Sequence, residues 1–386
     1  MPTILITIPC LLTGGTEYQT INLIRALKGA GHRVITACYY EYNHDMVALF
    51  ESFGSEVVLF SQEGSSRPKR LKEILFILKN FRQVVSSYKP DIVHVQYMAP
   101  GAIPIFAARL AGVKKVLATV HQPHTESHGI FSKIMLRISA WFCSVFIVVS
   151  KNAEFSWFGT SSLFDEHNNL SQQSSHFTVY NAIDIIRIQA LALQVDTNKE
   201  KEVQHIESKS FVFGAVSRLR AEKGIDLLIE AFSSMVVENH DLHLHIVGNG
   251  PDEQKLKDMV TQLNIVDNVT FFGEASWEIA MKQMALMDVV VVPSRFEGFG
   301  LSAAEAMAMG KPVIASNVFG LKEVVIDGQT GLLFENGNSN DLYLQLHTLY
   351  TDKSRYNKFC ANSLIHVDQF GLPEFNKKVT ALHEEF

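Results

Sequence analysis

Two glutamates eight positions apart are the residues whose types and spacing most favour chemistry. Glu297 lies in a glycine-rich segment, residues 293–300, that follows an apolar run, and Glu305 lies in the alanine-rich stretch after it. Carboxylates after a buried strand and in the first turns of the next helix can reach one ligand. An alternative stays open, because Ser302-Ala303-Ala304-Glu305 also fits a capping box, in which Glu305 only closes the start of a helix.

Cationic side chains follow another apolar run, at Arg218 and Lys223. Open α/β sheets bind ligands at the carboxyl ends of their strands, and this is where these two residues fall. A guanidinium fork and an ammonium point charge both suit a diphosphate. The other interpretation is a solvated basic loop.

A pair of glycines, Gly14 and Gly15, joins the first apolar run to a helical pattern. Glycines in this position let backbone N–H groups approach an anion at a helix N-terminus. The segment matches neither the dinucleotide-binding fingerprint nor the P-loop, which disfavours a dinucleotide or ATP site. A tight strand-to-helix turn would need the same glycines.

Histidines and cysteines give little support for a metal site. His121, His124 and His128 are close in sequence, but Pro123 interrupts any helix that would align them. The four cysteines are scattered without a CxxC pair. We expect no metal and no cofactor, and a reducing compartment.

Residues 131–142 combine apolar side chains with Lys133 and Arg137. This pattern is typical of an interfacial membrane helix. A helix packed on a sheet gives the same stripe, so both interpretations stay open.

Short β-branched runs alternate with amphipathic stretches along the chain, which predicts parallel sheets with right-handed crossovers. The predicted strands are residues 4–8, 34–38, 57–60, 92–95, 116–120, 145–149, 211–216, 242–247, 269–272, 289–292 and 313–315. The main predicted helices are residues 16–30, 224–237, 252–264, 277–286 and 302–309, with further helix from residue 338 onwards. The alternation of strand and helix patterns weakens between residues 158 and 210, which indicates the junction between two domains. The fold class is therefore α/β, with two doubly wound Rossmann-like domains.

Length and charge agree with this organisation. The chain has 386 residues, 47% of them hydrophobic, which suits two domains with cores of their own. Residues 1–180 hold 16 Lys and Arg against 12 Asp and Glu, which gives them a net charge of +4. Residues 181–386 therefore carry −10, and the whole chain carries −6. Neither half is basic enough for nucleic acid. With no predicted transmembrane segment or signal peptide, we expect a cytoplasmic protein, with peripheral contact at the inner face of a membrane as a further expectation.

A set of motifs in the second half resembles the nucleotide-binding domain of family-four retaining glycosyltransferases of the GT-B fold. The motifs, in order, are Arg218 with Lys223-Gly224, Val247-Gly248-Asn249-Gly250-Pro251, Glu297 with Glu305, Gly310-Lys311-Pro312-Val313, and Gly328 with Gly331-Leu332-Leu333. The first half agrees more loosely, through Gly14-Gly15-Thr16-Glu17, Asp91-Ile92-Val93-His94, Thr119-Val120-His121, Val149-Ser150 and Val179-Tyr180-Asn181-Ala182-Ile183-Asp184. Together these segments span most of the chain.

The resemblance implies two domains facing each other across a cleft. These are an acceptor-binding domain at residues 1–190, joined by a C-terminal helix at about residues 370–386, and a nucleotide-sugar-binding domain at residues 205–369. A sugar nucleotide, UDP favoured over GDP, would bind with Arg218 and Lys223 on its diphosphate, Glu305 on its ribose and Glu297 on its sugar hydroxyls. The remaining contacts would come from His121 on the sugar and from the backbone of Gly14, Gly15, Gly298, Phe299, Gly300 and Leu301.

The function implied is metal-independent transfer of a sugar, with retention, to a hydroxyl of a glycan or lipid-linked acceptor in polysaccharide or glycoconjugate biosynthesis. His121, Glu297, Arg218 and Lys223 would be the catalytic residues. Two departures concern Ala182, where the family often has glycine, and Gln122, where an acidic residue is common. A nucleotide-sugar epimerase and a non-catalytic sugar-nucleotide-binding protein remain as alternatives.

Overall fold

The computed structural model describes residues 1–62, 67, 71–97, 101–203, 210–237, 239 and 241–385. The strands are β1 (Thr3–Ile8), β2 (Arg33–Cys38), β3 (Ser55–Leu59), β4 (Ile92–Tyr97), β5 (Lys115–Val120), β6 (Val145–Val148), β7 (His176–Thr178), β8 (Phe211–Val216), β9 (Leu242–Val247), β10 (Val269–Gly273), β11 (Val289–Val292), β12 (Val313–Ser316) and β13 (Gly331–Phe334).

The helices alternate with these strands and then run to the C-terminus. They are α1 (Gly15–Gly29), α2 (His44–Ser52), α3 (Leu71–Tyr88), α4 (Ala102–Leu110), α5 (Gly129–Trp141), α6 (Lys151–Phe158), α7 (Ile185–Leu193), α8 (Thr197–Val203), α9 (Ile225–Val236), α10 (Glu253–Gln262), α11 (Trp277–Leu286), α12 (Leu301–Ala308), α13 (Leu321–Val324), α14 (Ser339–Thr351), α15 (Lys353–His366) and α16 (Leu372–Glu384). None of the helices described here is long and apolar enough to cross a membrane.

The chain divides into two compact units, each built on one parallel sheet. The first unit is Met1–Ala182 with Leu372–Phe386, and the second is Ile183–Gly371. The strand order is β3-β2-β1-β4-β5-β6-β7 in the first unit and β10-β9-β8-β11-β12-β13 in the second. Every pair in both sheets is parallel, so the predicted doubly wound α/β fold is confirmed.

Alternation along the strands explains why the sheets are buried on both faces. In β1, Ile4 and Ile6 pack into one apolar cluster of the first unit, whereas Leu5 packs into the cluster on the opposite face. Successive side chains of a strand point to opposite faces, so a continuous apolar run can fill two layers. The predicted strands are confirmed, with ends that differ by one or two residues.

Two short strands are absent from the predictions. β7 lies inside the polar stretch after residue 158, and β13 lies in the stretch after the last predicted strand. β7 has only three residues, too few for a periodic pattern, and β13 begins with a glycine in place of a β-branched residue. β7 pairs in parallel with β6. The fully buried Glu154 of α6 also anchors it, because its carboxylate accepts a hydrogen bond from the Thr178 hydroxyl at 2.7 Å and contacts the His176 ring at 2.6 Å.

The first unit ends at Ala182, eight residues before the predicted boundary at residue 190. The Gln19 side chain holds Ala182 in the first unit, since its amide donates to the Ala182 carbonyl at 2.8 Å and its oxygen accepts from the Ala182 N–H at 2.9 Å. Helix α7, just beyond, packs on α11 and α12 of the second unit. The second unit continues to Gly371, two residues past the predicted end. The predicted start at residue 205 lies outside the described residues.

Gly224 shows why the loops at the carboxyl edge of the second sheet need glycine. Its φ is +66°, and a Cβ at this position would overlap the Pro293 carbonyl oxygen. Gly328 has a nearly identical φ of +67°, but a Cβ there would meet nothing within 4 Å. A side chain at either position would strain the left-handed backbone, but only a side chain at Gly224 would also clash with another loop. Comparing the two positions therefore distinguishes left-handed strain from the steric cost of close backbone approach.

We predict that Gly224→Ala destabilises the protein far more than Gly328→Ala. The Gly328 variant should lose about 1 kcal/mol of unfolding free energy, from left-handed strain alone. The Gly224 variant should lose about 3 kcal/mol or more, because the Pro293 backbone must also move. Urea denaturation of both variants beside the unmodified chain measures the difference, and equal losses would contradict the steric explanation.

Candidate functional site

The carboxyl edge of the second sheet has its topological switch point between β8 and β11. Strand β8 pairs with β9 on one side and with β11 on the other, so the chain leaves these two central strands in opposite directions. Ligands of doubly wound sheets bind at such a point. Residues 217–224 follow β8 and residues 293–300 follow β11, which brings together the two segments singled out in the sequence.

Arg295 ties these two loops together, a role that sequence reasoning missed. Its guanidinium binds Asp226 in two hydrogen bonds of 2.9 and 2.7 Å and also donates to the Ala221 carbonyl. Its own N–H donates to the Glu222 carbonyl at 2.8 Å. The signal available in the sequence was an arginine two residues before Glu297, but its partners are more than 60 positions away.

Lys223 and Glu297 form an ion pair between the two loops. The Lys223 Nζ lies 2.6 Å from Glu297 Oε2, and the side chains are only 20% and 21% exposed. The resemblance assigned these residues to different parts of one ligand, and here each is the other's partner. Arg218, in contrast, is exposed and has no ion pair or hydrogen bond of its side chain to any described residue.

The backbone between the two glutamates is buried and sterically confined. Gly298, Phe299 and Gly300 are all buried, and the Phe299 ring packs edge-on against Phe370 at 5.2 Å. Gly300, at φ +105°, is the N-cap of α12 and gives it no side-chain cap. Helix α12 therefore begins at Leu301 with backbone N–H groups available to an anion.

Glu305 does not cap a helix, so the capping-box alternative is wrong. The N-cap of α12 is Gly300, and Ser302 lies inside the helix. The Glu305 Oε1 instead accepts a hydrogen bond from the indole Nε1 of Trp277 at 2.8 Å. Burial of the carboxyl group raises the pKa of Glu305 to about 7, while the indole contact acts in the opposite direction. This carboxyl group is thus poised to change charge near neutral pH.

A small pocket in the first unit, lined by both polar and apolar side chains, lies at the carboxyl ends of its central strands. It is lined by side chains that include Gln19, His94, Gln96, Thr119, His121 and Asn181, with Phe375 and Val379 of α16. The His121 Nε2 lies 2.7 Å from Gln96 Oε1. Burial lowers the pKa of His121 to about 4, so the ring is neutral at physiological pH.

Two polar atoms of the residues that line this pocket lack a hydrogen-bond partner among the residues that the structure describes. Since Gln96 Oε1 can only accept, His121 Nε2 carries the proton and Nδ1 has a free lone pair. His121 Nδ1 and Gln96 Nε2 are both buried and have no hydrogen-bond partner within the described ranges. Two separate hydroxyl groups would satisfy them, one donating to His121 Nδ1 and one accepting from Gln96 Nε2. Gln96 was not anticipated from the sequence.

A chain of hydrogen bonds ties α16 to the sheet beside this pocket. His383 Nδ1 donates to the Val379 carbonyl at 2.8 Å, so its Nε2 accepts from His94 Nδ1 at 3.2 Å. His94 Nε2 then accepts from the Thr119 hydroxyl at 2.7 Å. Burial lowers the pKa of His94 well below its usual range and that of His383 to about 4, which keeps both rings neutral.

The other predicted first-unit residues are spread over separate places. Gly14 is the N-cap of α1, which starts at Gly15, and the helix has no side-chain cap. His124 and His128 pack against the Trp157 ring at 4.9 and 5.7 Å. Within the described ranges, no group of three or more His, Cys, Asp and Glu residues is placed to hold a metal ion.

Helix α5 buries little of its apolar stripe. Leu136 and Ser139 face the unit, but Phe131 is 72% exposed and Trp141 is 83% exposed. Ile134 and Phe142 are also exposed. Packing on the sheet therefore explains only part of the pattern, and the core-helix alternative is wrong for these four side chains.

Ala182 replaces the glycine that the resemblance leads one to expect. The described non-glycine residues with positive φ are Lys89, Asn264 and Phe319, so Ala182 keeps an ordinary conformation. Its backbone is held by Gln19 in both directions. This departure from the family pattern therefore introduces no strain.

Two family profiles match the chain. Residues 196–364 match the profile described as Glycosyl transferases group 1, and residues 13–155 match the profile described as Glycosyltransferase Family 4. The two profiles together cover the greater part of the chain.

Curated relatives and solved structures agree with these profiles. N-acetyl-alpha-D-glucosaminyl L-malate synthase of Bacillus anthracis is 28% identical, over 72% of this chain and 70% of the relative. The capsular polysaccharide biosynthesis glycosyltransferase CapM of Staphylococcus aureus is 28% identical, over 69% of each chain. The crystal structure of HepE of Anabaena in complex with UDP and glucose superposes with a TM-score of 0.81 over 100% of both chains, at 20% identity.

The profiles match the segments that carry the Lys223–Glu297 pair, Glu305 and His121, and the superposition covers both units. The chain belongs to the group 1 glycosyltransferases of the GT-B fold.

Proposed function

We propose that this glycosyltransferase moves a sugar from a nucleoside diphosphate donor to a hydroxyl group, with retention of configuration and without a metal ion. The observation that carries the proposal is the arrangement at the carboxyl edge of the second sheet. Arg218 and Lys223 leave β8, while Glu297 and Glu305 flank the buried backbone that leaves β11. Two cations beside two carboxylates suit a ligand that joins a diphosphate to polyols.

The cations and the N-terminus of α12 would stabilise the leaving diphosphate. Arg218 is exposed and unpaired within the described part of the chain, so its guanidinium can bind phosphate oxygens without losing another partner. Lys223 would exchange Glu297 for the diphosphate. The N–H groups of Gly300 and Leu301 add the partial charge of a helix N-terminus. Preorganised positive charge of this kind substitutes for a metal ion. In the first unit, the N-terminus of α1 at Gly14 and Gly15 would bind an anion only after the Glu17 carboxylate, which lies beside Gly14, moves away.

The carboxylates would recognise hydroxyl groups. Glu297, once released by Lys223, would accept hydrogen bonds from the donor sugar, and Glu305 would accept them from the ribose. In the first unit, His121 Nδ1 would accept a hydrogen bond from one sugar hydroxyl, and Gln96 Nε2 would donate to another. We assign UDP as the nucleotide and a glycan or lipid-linked acceptor, since HepE binds UDP and CapM acts in capsular polysaccharide biosynthesis, as their names state.

A nucleotide screen followed by a transfer assay tests this function. We expect UDP and one UDP-sugar to raise the melting temperature, because a ligand at 100 times its dissociation constant stabilises the folded state by about 2.7 kcal/mol. Transfer to a panel of lipid-linked acceptors should then yield an α-linked product from an α-linked donor, read from the anomeric proton by NMR.

The alternatives give different results in the same experiment. Donor conversion without any acceptor would favour an epimerase. Binding without turnover under every acceptor would favour a non-catalytic sugar-nucleotide-binding protein. If GDP or ADP stabilises the folded protein in place of UDP, the base assignment is wrong.

We predict that Lys223→Met weakens UDP binding by about 10- to 100-fold, since a charge-assisted contact to phosphate contributes about 1.5–3 kcal/mol. Lys257→Met is the matched control, because Lys257 also forms an ion pair, with Glu253 at 2.7 Å, on helix α10. Isothermal titration calorimetry with UDP compares the two. Equal dissociation constants for both variants would contradict the role of Lys223.

We further propose that the exposed face of α5 rests on an anionic membrane surface. Phe131, Ile134 and Trp141 of this helix are exposed, as is Phe142 directly after it, and Phe155 of α6 is 60% exposed. Residues 101–160 contain six Lys and Arg against two Asp and Glu, of which Glu154 is fully buried. Apolar side chains within a positively charged region fit the interface of an anionic bilayer.

We predict that the double variant Phe131→Glu, Trp141→Glu loses binding to vesicles that contain anionic phospholipid, while its UDP affinity is unchanged. Ile365→Glu is the control, since Ile365 is 75% exposed on α15 of the second unit. Co-sedimentation with anionic and with zwitterionic vesicles measures binding. Wild-type sedimentation of the double variant would exclude this face as the membrane contact.

A further inference from the structure

We infer that Trp277 is a positioning residue for the nucleotide, acting through the side chain of Glu305. The indole N–H fixes one oxygen of the Glu305 carboxyl group, and Arg187 in turn holds the indole. The inference rests on the proposed role of Glu305 at the ribose, and it assigns Trp277 and Arg187 functions that neither the family motifs nor the sequence patterns indicated.

The hydrogen bond between α11 and α12 has a defined direction. Trp277 is the first residue of α11, and its Nε1 lies 2.8 Å from Glu305 Oε1. An indole can only donate, so Oε1 is occupied as an acceptor whenever the contact is present. Oε2 then remains free to accept hydrogen bonds from a diol, and the carboxyl plane cannot rotate without losing the indole.

Arg187 holds the indole from α7. The guanidinium carbon lies 4.8 Å from the centre of the Trp277 ring, within the range of a cation–π interaction. The same guanidinium pairs with Glu278, the residue after Trp277, so its charge is balanced beside the indole. Helix α7 packs on both α11 and α12, which completes the support of the carboxyl group.

The indole also controls the charge of Glu305. Burial favours the neutral acid, and the donated hydrogen bond favours the carboxylate. Arg187 and Glu278, the charged groups beside the indole, neutralise each other. Removal of the N–H therefore raises the pKa of Glu305 above about 7. A protonated carboxyl loses acceptor capacity for a ribose diol, so nucleotide affinity falls at neutral pH and returns at high pH.

The first experiment needs no nucleotide. Tryptophan fluorescence of the full chain is recorded from pH 5.5 to 9 for the wild type, Trp277→Phe and Glu305→Gln. We expect the contribution of Trp277, the difference between wild type and Trp277→Phe, to titrate with a midpoint near pH 7. In Glu305→Gln this titration should be lost, because the amide cannot ionise. A flat difference in the wild type would overturn the contact.

The second experiment measures UDP binding against pH for the same proteins, with Trp141→Phe as the matched control because Trp141 is 83% exposed in the first unit. If the pKa of Glu305 rises by about one unit, Trp277→Phe binds UDP about fivefold more weakly at pH 7 and less than about twofold more weakly at pH 9. Trp141→Phe should follow the wild type throughout.

Two results would overturn the inference in distinguishable ways. If Trp277→Phe weakens UDP binding by the same factor at every pH, Trp277 has a packing role only. UDP binding that is indifferent both to pH and to Glu305→Gln would remove Glu305 from the nucleotide site, and the proposed function would fail with it. In that second case the fluorescence titration persists, which separates it from failure of the indole contact.

Discussion

Close backbone approach at the carboxyl end of β8 is the constraint on which the second unit depends. A side chain on Gly224 would overlap the Pro293 carbonyl, and one on Gly248 would overlap the Ser217 carbonyl, so three strand-end loops can lie directly against one another. Arg295 then locks two of them by binding Asp226 and the loop backbone. Because the loops are fixed in this way, Lys223 and Glu297 meet although 74 positions separate them.

The same geometry gives the two glutamates different chemistry. Glu297 is partly exposed and neutralised by an ammonium group, whereas Glu305 is held by an uncharged indole in surroundings that raise its pKa to about 7. A pair of carboxyl groups in contrasting environments can perform different tasks at one pH. In the proposed function, Glu297 changes its partner when the donor binds, and Glu305 depends on its state of ionisation.

The first unit offers uncharged polarity where the second offers charge. Burial keeps His94, His121 and His383 neutral, and their hydrogen bonds to Gln96, Thr119 and the backbone determine which nitrogen of each ring carries the proton. Neutral donors and acceptors suit sugar hydroxyls, while cations such as Arg218 and Lys223 suit a diphosphate. The two units thus differ in the kind of polar group that they offer.

Periodicity was sufficient to predict the parallel α/β fold and the positions of most strands, because buried strands require local apolar runs. Motif spacing was sufficient to predict which residues gather at the carboxyl edge of the second sheet, because the ends of parallel strands share that edge. The partners of those residues were beyond the sequence. Trp277 at Glu305, Arg295 at Asp226 and Gln96 at His121 are contacts between segments 25 or more positions apart. Tertiary packing also decided the exposure of α5 and the partner of Glu305. A local pattern specifies which face of a helix is apolar, or that a serine hydroxyl precedes a glutamate. It does not specify which part of the fold packs against that face or which group binds that glutamate.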